Sequence, residues 1–94
     1  MNLSTYVDEE RGRQTSLGAA VKAHPQTVWQ WARGARRVPR SKCAAVEAAS
    51  KGAVTVEELR PDLPWARIPD LSWPHPEGRP VVDEARAVAG AFHA

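Results

Sequence analysis

Residues Gln14 to Gly34, QTSLGAAVKAHPQTVWQWARG, decide the fold of this chain. Leu17 and Val21 stand i,i+4 on one helical face, Val28 and Trp31 stand i,i+3 on a second, and Lys22-Ala23-His24-Pro25 lies between. Residues at those spacings share a face, so the pattern predicts two apolar stripes meeting across a tight turn. Pro25 lacks an N–H and has φ held near helical values, which suits the first position of the second helix. Gly34 can take a positive φ and end it. Two short helices crossing at one turn form a helix-turn-helix, whose second helix lies in the major groove of DNA.

Charge is distributed in the same sense. Between Glu10 and Glu47 there is no carboxylate, yet Arg11, Arg13, Lys22, Arg33, Arg36, Arg37, Arg40 and Lys42 fall there, eight of the 13 Lys and Arg. The net charge of +2 conceals this polarity. A basic block without acidic neighbours sets up a positive field suited to phosphate attraction and counterion release. By itself it is more simply a solvated face; flanking a recognition helix, it points to nucleic acid.

Ninety-four residues at 43% hydrophobic suffice for one small domain. Domains of this size bury a modest share of their surface, which makes oligomerisation an expectation. The single Cys43 excludes an internal disulfide framework and fits a reducing compartment. The N-terminal MNLSTYVDEE is too broken for a signal peptide, and no apolar run nears ~18 residues, so the expected location is cytoplasmic, nucleoid-associated when bound to DNA, with no membrane partner.

Asn2 is placed to cap a first helix bearing Leu3, Tyr6 and Val7, with Gly12 at its end. A second helix is predicted from about Gln14 to Val21, a third from Pro25 to Arg33, and a fourth from Pro39 to about Ser50 with Cys43, Val46 and Ala49 facing inward. Thr55 and Glu58 have capping-box spacing for a short fifth helix ending at Leu59, before Pro61. The expected architecture is all-α, a compact five-helix bundle over residues 1–63. From 64 to 80 the prolines cannot continue a helix, and the segment reads as a linker with aromatic anchors, Trp65, Ile68 and Trp73 packing back on the bundle. Residues 81–94 carry an amphipathic pattern, Val81, Ala85, Val88 and Phe92 at i, i+4, i+7 and i+11, read as a short tail helix.

At this point the chain resembles the Cro/repressor-type, lambda-repressor-like helix-turn-helix proteins of prophages, most closely the YdaS-like group. The resemblance runs from about Met1 to Trp65 and rests on NLSTY, GRQTSLGAAV, TVWQWARG, VPRSKC with AVEAA, and GAVTVEELRPDL ahead of a Trp. It implies that Gln14 sets its amide against a phosphate and that Pro25, Gln26, Thr27 and Gln30 face the groove. Gln26 and Gln30 share a face, and a glutamine amide matches adenine N6 and N7, while the Thr27 methyl can meet a thymine methyl. Arg33, Arg36 and Arg37, with Arg13, Lys22 and Arg40, are expected on phosphates, where they set register without choosing sequence. Two residues depart from the family pattern: Lys22 stands where glycine is usual in the turn, and Gly18 replaces an alanine. A lysine at positive φ costs ~1 kcal/mol.

Trp31 shares the inward stripe of Val28 and reads as core, whereas Trp29 points elsewhere, covering the fourth helix or touching the sugar-phosphate edge. Cys43 reads as a small core residue. His24, His75 and His93 are scattered, Asp8-Glu9-Glu10 splay around a helix, and the glycines form no phosphate loop, so no catalysis, cofactor or metal is expected. Two function classes follow. One is a dimeric prophage Cro-like repressor of a pseudo-palindromic operator. The other is an antitoxin-type interaction protein, whose tail binds a toxin or other partner while the helix-turn-helix regulates its own operon. For either oligomer or partner contact the expected surface comprises Trp65, Ile68, Trp73, Val81, Ala85, Val88 and Phe92.

Overall fold

Asn2 opens the chain's first helix by accepting the Thr5 N–H at 2.8 Å, and α1 (Leu3–Glu9) turns Leu3 and Val7 inward. The computed structural model describes residues 1–83; Ala85, Val88 and Phe92, and with them the expected tail helix, lie outside the described residues. α1 stops at Glu9, short of the expected glycine. Gly12, at φ 88°, instead swings the chain into α2 (Arg13–Val21). α3 (Pro25–Ala32), α4 (Arg40–Ala49) and α5 (Val56–Leu59) follow, the last opened by the reciprocal Thr55–Glu58 capping box. α2 packs on α3 and α4, α1 on α2 and α3, and α5 on α4. Between them lie Leu3, Leu17, Val21, Val28, Trp31, Val38, Cys43, Val46, Val54 and Val56, all buried. A fully buried valine or leucine contributes ~1.5–3 kcal/mol, so this valine-rich centre is the main stabilising term. Burial also pushes the Cys43 thiol up to about 11, which leaves it an inert core group.

The all-α expectation is corrected beyond Leu63. β1 (Trp65–Ile68) and β2 (Arg79–Val82) pair antiparallel, with Trp65 opposite Val82 and Ile68 opposite Arg79. Proline argues against helix, but it is admitted in edge strands, and both strands of a two-stranded sheet are edges. Pro80 therefore sits within β2. Val81, expected to begin a tail helix, is also in β2, where β-branched side chains suit a pleated surface.

An isolated two-stranded sheet is marginal in water, so the bundle must hold this one. The holding group is Glu47, fully buried on the inner stripe of α4. Its carboxylate accepts both guanidinium nitrogens of Arg67 at 2.6 Å, the Trp73 indole N–H at 2.6 Å and the Val56 N–H at 3.1 Å. Arg67 also donates to Glu57 at 2.6 Å and to the Gly78 carbonyl at 3.0 Å. Burial pushes the Glu47 carboxyl up, but hydrogen bonds from Arg67, Trp73 and Val56, with the Arg67 charge, outweigh it and hold the group below its ordinary value. Nearby, the Trp65 indole donates to the Arg60 carbonyl at 2.9 Å. Gly52, at φ 81°, leaves room for the Pro74 carbonyl where a Cβ would stand. Trp65 and Trp73 are thus tied into their own bundle, whereas Ile68 stays 39% exposed.

Candidate nucleic-acid interface

The turn between α2 and α3 is built from backbone constraints that the sequence states only in part. Lys22 adopts the left-handed conformation, φ 58° and ψ 47°, and its N–H returns to the Gly18 carbonyl. The turn therefore keeps the backbone shape usually given to glycine and places a lysine in it. Gly18 has its own reason: the Ala23 N–H bonds the Gly18 carbonyl at 2.8 Å, and a Cβ on Gly18 would lie 2.6 Å from the Ala23 oxygen. The turn crosses too close to α2 for an alanine.

His24 caps α3, its imidazole Nδ1 accepting the Gln26 N–H at 3.1 Å, and Pro25 takes the first helical position. Two side chains then lock the motif. The Gln14 amide donates to the Pro25 carbonyl at 2.9 Å, and Lys42 Nζ donates to the Val21 carbonyl at 2.8 Å from α4. One N–H of the Gln14 amide is thereby used inside the motif, where it sets the start of α3 against α2. Lys42 satisfies an orphan carbonyl at the end of α2 and adds a favourable charge there.

Val28 and Trp31 fill the inner side of α3, and at about 100° per residue the opposite arc consists of Gln26, Trp29, Gln30 and Arg33. Gln26, Trp29 and Arg33 are exposed and Gln30 half-buried; Pro25 and Thr27 lie half-buried on the two flanks of that arc. Ala35 and Arg36 N–H groups both close on the Gln30 carbonyl, at 2.9 and 3.2 Å. This closure, with Gly34 at φ 77°, brings Arg36 and Arg37 out beyond the end of α3.

The arginines are not equivalent. Arg33 reaches Asp8 and Arg37 reaches Asp62, each at 3.4 Å and well exposed. Pairs of this kind are worth ~0–1 kcal/mol, so exchange for a phosphate costs little. Arg13 is held harder: it bonds Glu9 at 3.0 Å, Glu10 at 3.2 Å and the Tyr6 carbonyl at 2.9 Å, and lies 4.2 Å over the Tyr6 ring. It ties α1 to α2. Among the described residues, Arg36 pairs with no carboxylate, and Lys22 and Arg40 are exposed at the turn and at the start of α4. The acid-free block is thus acid-free in sequence only, since Asp8, Glu9, Glu10 and Asp62 approach it from either side. Sequence reasoning missed the Glu47 cluster and the roles of His24 and Lys42. The signal for Glu47 was a carboxylate on the stripe Cys43, Val46, Glu47, Ser50, all of it buried.

Among the described residues no group of three or more His, Cys, Asp or Glu is arranged to hold a metal ion, and no helix is long and apolar enough to cross a membrane. The model of the family described as bacterial toxin YdaS matches residues 5–68, a span that runs from α1 through β1. The protein named "Putative transcriptional regulator YdaS" from Escherichia coli (strain K12) is 40% identical over 57 residues, which cover 61% of this chain and 58% of that relative's length. No solved structure matches the chain. The matched residues include the whole α2–α3 unit and the helices that brace it, and on that ground the chain belongs to the YdaS family.

Proposed function

We propose that the chain is a sequence-specific DNA-binding transcription regulator, a Cro-like prophage repressor that inserts α3 into the major groove of a twofold-symmetric operator. The observation that carries this is the outer arc of α3, where Gln26, Trp29, Gln30 and Arg33 stand together on a helix whose opposite side is locked into the core. Gln26 and Gln30 supply paired donor and acceptor groups for adenine, and Arg33, Arg36 and Arg37 supply phosphate contacts around them. The name of the Escherichia coli relative supports the same reading. One recognition helix spans few base pairs, so the regulator binds as a dimer with its two α3 helices ~34 Å apart, about one turn of DNA. It acts by binding, without cofactor or catalysis.

A footprint of the full chain on the DNA immediately upstream of its own gene tests this. The expected result is protection of two half-sites centred ~10 base pairs apart, at protein concentrations that leave random DNA bare. Equal occupancy of upstream and random DNA at 0.15 M salt would overturn it.

A second reading is favoured by the family's description as a bacterial toxin. There the chain is chiefly one member of a toxin–antitoxin pair, with the helix-turn-helix regulating the operon and a protein partner bound elsewhere. Growth arrest on induced expression, relieved by a neighbouring gene but unaffected by Gln26→Ala with Gln30→Ala, would favour that reading over the first.

A further inference from the structure

Trp29 is a large apolar side chain that stays outside the packed core. It is 41% exposed on α3, while its neighbours Val28 and Trp31 are 0% and 8% exposed. The indoles of Trp65 and Trp73 donate to Arg60 and Glu47, but among the described residues the Trp29 indole N–H has no acceptor. Helical geometry sets Trp29 about 60° from Gln26 and about 100° from Gln30, so all three project from the same side of α3.

Resting on the proposal that α3 reads DNA, we infer that Trp29 reads the 5-methyl group of thymine in the major groove. An indole has a donor but no acceptor, so it cannot pair with the amino groups of adenine or cytosine. Its extended face is apolar, and the thymine methyl is the apolar group that base edges present in that groove. Gln26 and Gln30 are suited to adenine, and each adenine brings its paired thymine, whose methyl lies in the same groove beside the adenine edge. The indole, flanking Gln26 on the same side of α3, is therefore in the place where such methyls arise. Phosphates, by contrast, are served by Arg33, Arg36 and Arg37 on the far end of the helix and beyond it.

The test begins with selection of bound sequences from a random duplex pool by the full chain, followed by uracil-for-thymine replacement at one position at a time. That replacement removes the methyl and leaves base pairing intact. The wild-type chain is expected to lose about four- to tenfold in affinity at one or two thymines per half-site, the worth of one buried methyl or a little more. Trp29→Ala is expected to weaken binding to the thymine duplex about tenfold and to become indifferent to uracil at those positions; Trp29→Phe keeps part of the discrimination. A wild-type chain indifferent to every replacement overturns the inference, as does a Trp29→Ala loss that is equal on selected and random duplexes, which would put the indole on the sugar-phosphate edge. If the pool yields no enriched sequence, the regulator function itself falls, an outcome distinct from enrichment without methyl sensitivity.

Discussion

Gln26 and Gln30 stand one helical turn apart on the outer arc of α3, and their side chains take no part in the core. Truncating either to alanine should cost ~1–3 kcal/mol of specific binding, the worth of a bidentate adenine contact, with nonspecific affinity nearly unchanged. A competition titration of operator against random DNA measures the difference, and retained discrimination in both variants would remove them from base reading. On the proposed function Arg36 contacts a phosphate, and Arg36→Ala should lower the slope of log affinity against log salt by about 1. Arg13→Ala, by contrast, should act on stability, because its guanidinium is already bonded to Glu9, Glu10 and the Tyr6 carbonyl. At the other pole of the molecule, Glu47→Ala should destabilise the fold by about 3 kcal/mol, the low end for breaking a buried pair, since Arg67 retains Glu57 and the Gly78 carbonyl. The Glu47 carboxyl lies below its ordinary value of 4.5 in the folded chain, so the unfolded state takes up its proton first as pH falls. Its stabilising contribution is therefore complete above about pH 4.5 and is lost as pH drops through the lower folded value. Denaturant melts of wild type and Glu47→Gln at pH 7 and pH 3 should show the variant lacking that component of the pH dependence.

At the scale of elements, the α2–α3 turn is the critical joint, because it sets the angle at which α3 is presented. Gly18→Ala restores the residue usual in the resembled family, yet here it drives a methyl against the Ala23 carbonyl at 2.6 Å. It should destabilise the chain by ~1–3 kcal/mol, as overpacking does, and weaken DNA binding by altering the crossing of the two helices. A thermal melt of Gly18→Ala within 2 °C of wild type would show that the turn can shift without cost, a change of ~1 kcal/mol being worth about 4–8 °C in a domain of this size. Lys22 illustrates the opposite compromise. The lysine accepts left-handed strain while placing a cation beside the start of α3.

For the whole molecule, the β1–β2 sheet is joined to the bundle through the Glu47–Arg67–Trp73 cluster and through Trp65. A chain ended after Pro61 keeps all five helices but deprives Glu47 of Arg67 and Trp73. It should melt at least ~10 °C below the full chain, because a carboxylate left in an apolar site costs several kcal/mol. Glu47→Leu in the shortened chain should recover much of that loss, since a buried ion pair is replaceable by an apolar residue of similar volume. Differential scanning calorimetry of the two shortened chains checks both statements, and equal melting of shortened and full chains would show that the sheet contributes nothing to the bundle.

The helix-turn-helix was legible because its determinants are local. Apolar spacing, the Pro25 start, the Asn2 cap and the Thr55–Glu58 box are each written within one turn of helix, and all reappear in the structure. The outer arc of α3 was legible for the same reason, since the helical period alone puts Gln26 and Gln30 opposite Val28 and Trp31. What lay beyond the sequence was every feature that depends on distant partners. The segment after Leu63 read as a linker because its prolines exclude helix, whereas the sheet arises from pairing across a ten-residue connection and from a carboxylate twenty residues upstream of Arg67. The acid-free basic block likewise acquired its acidic neighbours only when α1 and the Asp62 turn folded against it. Local periodicity determined the helices and the face that α3 presents; tertiary contact decided which charges are spent inside the molecule, because electrostatic pairing depends on distance in space and carries no period in sequence.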